Sequence, residues 1–346
     1  MSIKPYLRKM SNKAFKLINA GLSRINYKIV ETEFLYDWQI APEPLQSYNP
    51  SKLPEGATNY LQTGNPKLQD LQTQYIHFDK QVTTPLVWTD ERVRPEDILY
   101  FRGDNAYVYQ LRGPNMNIMA YALTTMYVKS IDSLGLLVLL KEDDCFGNYT
   151  FTIDNKCVSR DLLDSIMEIY FLEKHLNLSR SNDMTILDIG AGYGRLAHRM
   201  VTALPNIQHY LCTDAVAISS FISDYYLRFR GMTDKTQIVP LHDIESTLKH
   251  QAVKLAINIH SFSECTISAI DWWLELLQKQ AVKYLMIVPN AGNHGGQQLL
   301  THDGQNFEKV IETHGYKLIA KEPKYCDPLI HQFAINPTYY YLFELQ

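Results

Sequence analysis

The chain has no apolar run long enough to cross a membrane. The longest, Leu134-Gly135-Leu136-Leu137-Val138-Leu139-Leu140, falls far short of the ~18 residues a span needs. It has no Cys-x-x-Cys pair. Its five cysteines, Cys145, Cys157, Cys212, Cys265 and Cys326, are scattered over 346 residues, which argues against a disulfide framework or a zinc cage and for reduced thiols. It has no excess of positive charge. With 33 Lys+Arg against 37 Asp+Glu, the net charge is -4, unlike a domain held to nucleic acid by bulk electrostatics. No continuous apolar leader opens the chain, so the expected location is the cytoplasm. Nor is it poor in core-forming residues: 46% are hydrophobic, which excludes disorder for the bulk of the chain.

Local departures from this average organise the N-terminal half. The first acid is Glu31, and Lys4, Arg8, Lys9, Lys13, Lys16, Arg24 and Lys28 precede or flank it. Leu7, Met10, Ala14 and Leu17 recur at helical spacing among them. The segment therefore reads as a basic amphipathic helix, packed on its own domain or in peripheral contact with an anionic membrane surface. Residues 41–86 hold Pro42, Pro44, Pro50, Pro54, Pro66 and Pro85, a density that predicts an extended arm or a long irregular covering segment, either a linker or a strap across the main domain. Glu96–Phe101 suggests a helical turn, Tyr107–Leu111 a strand, and 116–140 an apolar helix broken near Ser133 and Gly135. Ser159 is a plausible N-cap for a helix running to about Leu176.

From Met184 onward strands alternate with helices. Strands are expected at Thr185–Ile189, His209–Thr213, Gln237–Pro240, Leu255–Ile259, Lys283–Val288, Tyr316–Ala320 and Tyr339–Phe343. Helices are expected at Arg195–Leu204, Ala215–Arg230, Ile267–Lys279 and Phe307–His314. That alternation predicts an α/β fold, a Rossmann-like, mostly parallel sheet covered on both faces. With no helix between the last two strands, they should form a hairpin and make the final strand antiparallel. The expected division is an N-terminal helical or irregular cap over 1–158 and an α/β domain over 159–346.

The densest motif is Asp188-Ile189-Gly190-Ala191-Gly192-Tyr193-Gly194-Arg195, between a buried strand and a helix. Glycines there let the chain reverse tightly and let a ligand approach the backbone. A dinucleotide fingerprint, G-x-G-x-x-G, needs its third glycine at position 195, which is Arg195; here it is Gly194. Asp214, at the end of the second strand and followed by Ala215, is placed to accept both hydroxyls of a ribose.

The G-x-G-x-G form with Asp188 ahead of it resembles motif I of class I S-adenosylmethionine-dependent methyltransferases. The stretches VSRDLLDSIMEIYFL, LDIGAGYGRLAHRM, TDAVAISSFISDYYLRFRG and INIHSFSEC…IDWWLELL resemble the sugar O-methyltransferase family. The resemblance covers roughly residues 184–346, and more faintly the helix from Ser159. It implies S-adenosylmethionine as cofactor, S-adenosylhomocysteine as product, and methyl transfer to a sugar hydroxyl of a glycan or glycosylated natural product. Alternatives are another small-molecule acceptor, such as a phenol, amine or polyketide hydroxyl, or a cofactor-binding inactive scaffold.

The resemblance also implies that Asp188, Gly190, Ala191, Gly192, Tyr193, Gly194, Asp214 and Ala215 bind the cofactor. It places Asp243 and Ile244 at the adenine, and Asn258 and His260 beside the reacting methyl. His260 is the first candidate for general base, because imidazole titrates near neutrality; Glu264 either orients it or takes the proton. Arg195 is expected to pair locally or reach a carboxylate, and Arg160 to lie on the surface or close over the cofactor's carboxylate. The loop Val288–Gln297, with Asn290, Asn293, His294 and Gln297, suits sugar hydroxyls or an ordinary mobile loop. His294, His302 and Asp303 match no defensible ligand spacing, so no metal site is assigned, although a divalent ion stays open as a cofactor. Trp38 and Trp88 are aromatic platforms for a sugar ring or core residues. The sequence leaves oligomeric state open.

Overall fold

A computed structural model describes residues 49–346 apart from 85, 89–91, 93, 109 and 111–115, and before these only 14, 17–25, 27 and 29. Most of the proposed N-terminal amphipathic helix, and Trp38, lie outside the described residues; 17–22 are helical, with Leu17 exposed.

Seven strands form one sheet: β1 (Met184–Ile189), β2 (Ile207–Thr213), β3 (Thr236–Ile238), β4 (Leu255–Ile259), β5 (Tyr284–Val288), β6 (Tyr316–Pro323) and β7 (Tyr339–Leu345). Their order is β3-β2-β1-β4-β5-β7-β6; β1 to β5 are parallel and β7 runs antiparallel to both neighbours. This is a Rossmann-like sheet, as the alternation predicted. β1 is buried at every position, because helices cover both of its faces. One correction concerns the last pair. They do pair antiparallel, but a short helix, Pro328–Phe333, lies between them, started by Asp327 accepting from Leu329 and Ile330 N–H.

The helices that position the site are α1 (Pro66–Ile76), α2 (Ile118–Ile131), α3 (Arg160–Leu176), α4 (Arg195–Ala203), α5 (Ala217–Phe229), α6 (Ile244–His250), α7 (Ile267–Lys279) and α8 (Glu308–Thr313). Ser159 caps α3, its hydroxyl accepting from Leu162 N at 3.0 Å. The helix ends where Asn177 turns left-handed at φ 55°. Among the described residues no helix is long and apolar enough to cross a membrane, and all five cysteines carry free thiols.

The proline-rich segment is not an extended arm. Pro50 and Pro66 each open a short helix, with Asn49 and Asn65 as N-caps accepting from the N–H two residues on. A proline at the first helical position loses no hydrogen bond, since that N–H is unpaired in any case. Pro95 opens the expected helical turn, Pro95–Leu99. The strand expected at Tyr107–Leu111 is absent from its described residues. Instead Phe151–Ile153 and Lys156–Val158 form a small hairpin whose two turn residues, Asp154 and Asn155, both have positive φ.

The N-terminal region and the sheet domain share one apolar core. Phe101 packs against Tyr193 and Tyr226, at 5.2 and 5.7 Å between ring centroids. Beside them Arg102, fully buried, pairs with Glu142 at 2.6 Å and Asp143 at 2.8 Å and approaches Asp161 at 3.6 Å. Arg199 of α4 meets the same Glu142 at 2.8 Å. Burial pushes the Glu142 carboxyl up, but the two guanidinium groups overcome it and hold it down at about 2.

Candidate active site

Open α/β sheets bind ligands beyond the carboxyl ends of their strands. At that edge lies a cavity of about 1020 Å³. Its floor is the glycine loop after β1, the segment 214–219 after β2, and 259–261 with Glu264 and Cys265 after β4. One wall is α3, through Arg160, Asp161, Asp164 and Glu168, a stripe at helical spacing. The opposite wall comes from the N-terminal region, including Gln72, Tyr75, Ile76, Trp88 and Tyr107.

The glycine loop does two different jobs. Gly190 has φ +75°, and a Cβ there would sit 2.3 Å from Ser261 Cβ and Oγ, so the loops after β1 and β4 touch at this point. Gly192 has φ +57°, and its missing Cβ faces open space in the cavity. Ala191 lines the cavity beside it, and Gly194 caps α4 against Ser223 and Leu227 of α5. Tyr193 turns inward: it is 3% exposed, and its hydroxyl donates to Asp161. Its part is to fix the loop to α3.

Asp214 braces the loop from the end of β2. One carboxylate oxygen accepts from Gly192 N at 3.0 Å and the other from Val216 N at 2.8 Å. Burial pushes its pKa up to about 7 despite these two donors. Asp188 is likewise pushed up to about 7 by burial, against the Tyr210 hydroxyl that donates to it at 2.9 Å. Both carboxyls, and Ala215, line the cavity.

Three candidates sit elsewhere. Asp243 does not line the cavity; its side chain is 56% exposed and turned to His242 at 3.6 Å. Ile244 is fully buried in the core at the start of α6. Asn258 is also fully buried, with its amide spent inside the protein. It donates to Ile189 O at 2.9 Å and accepts from Phe262 N at 2.8 Å, tying the β4 loop to β1.

His260 lines the cavity with φ +66°. Burial, reinforced by the cationic Arg160, Arg195 and Lys324, lowers its pKa to about 3. At neutral pH its imidazole is therefore uncharged. Glu264 does not orient it. The Ser261–Glu264 3₁₀ turn carries Glu264 to other partners: it accepts from Trp88 Nε1 at 2.6 Å and Asn290 Nδ2 at 3.2 Å.

Arg160 is a wall residue and no surface arginine; its Nε pairs with Asp164 at 3.2 Å. Asp164 also accepts from buried Lys324, and although burial raises its carboxyl, Lys324 and Arg160 hold it well below the usual range. Arg195 makes a two-pronged pair with Glu168, 2.9 Å on each side. The loop after β5 is not a free lining loop. Gly296 lies so close to Thr338 that a Cβ would stand 2.3 Å from its hydroxyl, and from this loop only Asn290 reaches a cavity residue, Glu264. Among the described residues no three His, Cys, Asp or Glu side chains group to hold a metal. The sequence reading missed Gln72, Tyr75 and Tyr107 as wall residues. Nothing in their local pattern marks them, because contacts far along the chain place them there.

No family model and no curated protein matches this sequence. Similar chain paths occur in solved structures. A methyltransferase from Aquifex aeolicus, dependent on S-adenosylmethionine, is 14% identical over 50% of this chain and 89% of its own, with a TM-score of 0.38. An S-adenosylmethionine-dependent methyltransferase from Clostridium acetobutylicum is 11% identical over 52% and 90%, at 0.37. The magnesium protoporphyrin IX methyltransferase of Synechocystis, with S-adenosylmethionine bound, is 10% identical over 65% and 97%, also at 0.37.

Proposed function

We propose that the protein is an S-adenosylmethionine-dependent O-methyltransferase acting on a sugar hydroxyl. The observation that carries this reading is the composition of the cavity. The open backbone at Gly192 and the Asp214 carboxylate share it with a second polar pair, Trp88 and Glu264, whose carboxylate also accepts from Asn290 outside the lining. Its volume, about 1020 Å³, stands at the top of the range for a single small ligand and leaves room for a nucleoside and an acceptor together.

The residues fit the cofactor. Gly192 leaves space where a side chain would block a ligand, and Asp214 presents carboxylate lone pairs suited to two ribose hydroxyls. The α3 wall offers Arg160 and Asp164, charges of both signs for a zwitterionic amino-acid tail. When bound, S-adenosylmethionine supplies an electrophilic methyl on a sulfonium sulfur.

The chain's own contribution is positioning and proton removal. A hydroxyl oxygen must lie in line with the methyl and sulfur, and holding it there accounts for much of the acceleration. Glu264 is the general base. Each of its oxygens accepts one bond from the protein and keeps a lone pair for the acceptor's proton. With the cofactor bound, Glu264 would take the proton of the acceptor hydroxyl while that oxygen received the methyl group, and the cofactor would depart as the neutral thioether. Trp88, with Tyr107 at 5.3 Å and the Arg92 guanidinium over its ring at 5.4 Å, supplies an aromatic wall against which a sugar ring packs. His260 stays neutral and offers a hydrogen bond without accepting the proton.

The test is labelled methyl transfer to a panel of nucleotide sugars, glycans and phenols. Turnover should appear with sugars. Glu264→Gln should lower kcat about 10²–10⁴-fold with cofactor affinity retained, and His260→Ala should cost far less. Turnover with phenols alone overturns the sugar assignment, and a larger loss in the histidine variant returns the base to His260.

A further inference from the structure

The edge of the nucleoside site next to β3 is built by the N-terminal region. Tyr75, near the end of α1, is pinned between two elements of the sheet domain. Its hydroxyl lies 3.0 Å from Ser220 Oγ of α5 and accepts from Leu241 N, just beyond β3, at 2.9 Å. The backbone amide at the end of β3 is thus satisfied by a tyrosine, and the Asp243 side chain that follows points to His242 and solvent. Gln72, Tyr75 and Ile76 stand one helical turn apart on a shared face of α1 and line the cavity alongside Ala215–Ser219. Gln72 keeps its amide exposed at that wall.

We propose that α1 reads the nucleobase of the bound nucleoside, with Gln72 pairing with the purine edge and Tyr75 walling the base, in the role Asp243 would otherwise hold. The inference rests on the cofactor reading above. The chemistry is that of amide and adenine: Gln offers one donor and one acceptor side by side, complementary to an amino group next to a ring nitrogen. The pairing assigned to Gln72 is with the N6/N7 edge, where a carbonyl in place of the amino group sets two acceptors against the amide's single donor group and leaves one acceptor facing the amide oxygen.

Calorimetry with S-adenosylhomocysteine and with its inosine analogue, in which a ring carbonyl replaces the amino group, tests this on the full chain. The wild type should prefer the adenine form by about tenfold, the worth of one neutral hydrogen bond. Gln72→Ala should bring the ratio close to one; Gln72 is exposed, so the variant keeps the core intact. Asp243→Ala should leave the ratio unchanged. If the wild type binds adenine selectively while Gln72→Ala keeps that selectivity, or Asp243→Ala loses it, this assignment is overturned and the cofactor reading stands. If the wild type binds neither compound, both fall.

Discussion

Replacing each of two glycines by alanine separates the two jobs of the loop after β1. Both have positive φ, and a Cβ there costs about 1–2 kcal/mol from the left-handed backbone alone. At Gly190 the new methyl would also meet Ser261 Cβ and Oγ at 2.3 Å. Overpacking of that kind adds about 1–3 kcal/mol, so Gly190→Ala should lose roughly 2–5 kcal/mol of stability. At Gly192 nothing lies within 4 Å of the added atom. Gly192→Ala should therefore lose only about 1–2 kcal/mol, yet weaken S-adenosylhomocysteine binding at least about tenfold, because its methyl enters the ligand's space.

The clash at Gly190 has a built-in control. The offending atoms belong to the Ser261 side chain, whose own Cα would be 3.8 Å away, an ordinary contact. Ser261→Gly should thus recover the clash part and leave the backbone part. The double-mutant cycle should return a coupling of about 1–3 kcal/mol. Urea denaturation of the wild type and the four variants gives the stabilities, and calorimetry gives the affinity. If Gly192→Ala is as destabilising as Gly190→Ala and binds ligand normally, or if Ser261→Gly rescues nothing, the geometry argued for this loop is wrong.

Arg102→Met should cost about 3–5 kcal/mol in urea denaturation, because it strands the buried Glu142 carboxylate with Arg199 as its remaining cation; a loss below about 1 kcal/mol contradicts that role. Cofactor affinity should rise with pH. Asp214 is pushed up to about 7 in the free protein, and ribose hydroxyls favour its ionised form, so binding should tighten between about pH 6 and 8 as the carboxyl deprotonates. Asp214→Asn should bind more weakly with a flatter profile, and a wild-type affinity constant over that range refutes the assignment.

The sheet was legible because its signals are local. Buried runs such as Ile186–Ile189 and Leu285–Val288, closed by Gly190 and Pro289, mark strands whatever surrounds them. The glycine loop and Asp214 were legible for the same reason, being tied to strand ends. The proline-rich segment was legible as a covering strap but not as a helical one, although the signal was present: Asn49-Pro50 and Asn65-Pro66 are helix starts. The fate of Asp243 and His260 was not legible. Tyr75 occupies the β3 edge, and burial, reinforced by Arg160, depresses the imidazole; both effects arise between residues far apart in sequence. Glu264 lost its expected histidine partner to Trp88 through another such contact.

The shared core fixes an order of assembly. On the ribosome Phe101 and Arg102 emerge well before Tyr193, Arg199 and Tyr226, the residues that enclose them. The N-terminal region must therefore wait, its apolar faces unsheltered, until the sheet's first helices exist to receive it. The contacts that join the cavity's N-terminal wall to its floor, such as Tyr75 with Ser220 and Leu241, can form only after α5 and β3 have been made.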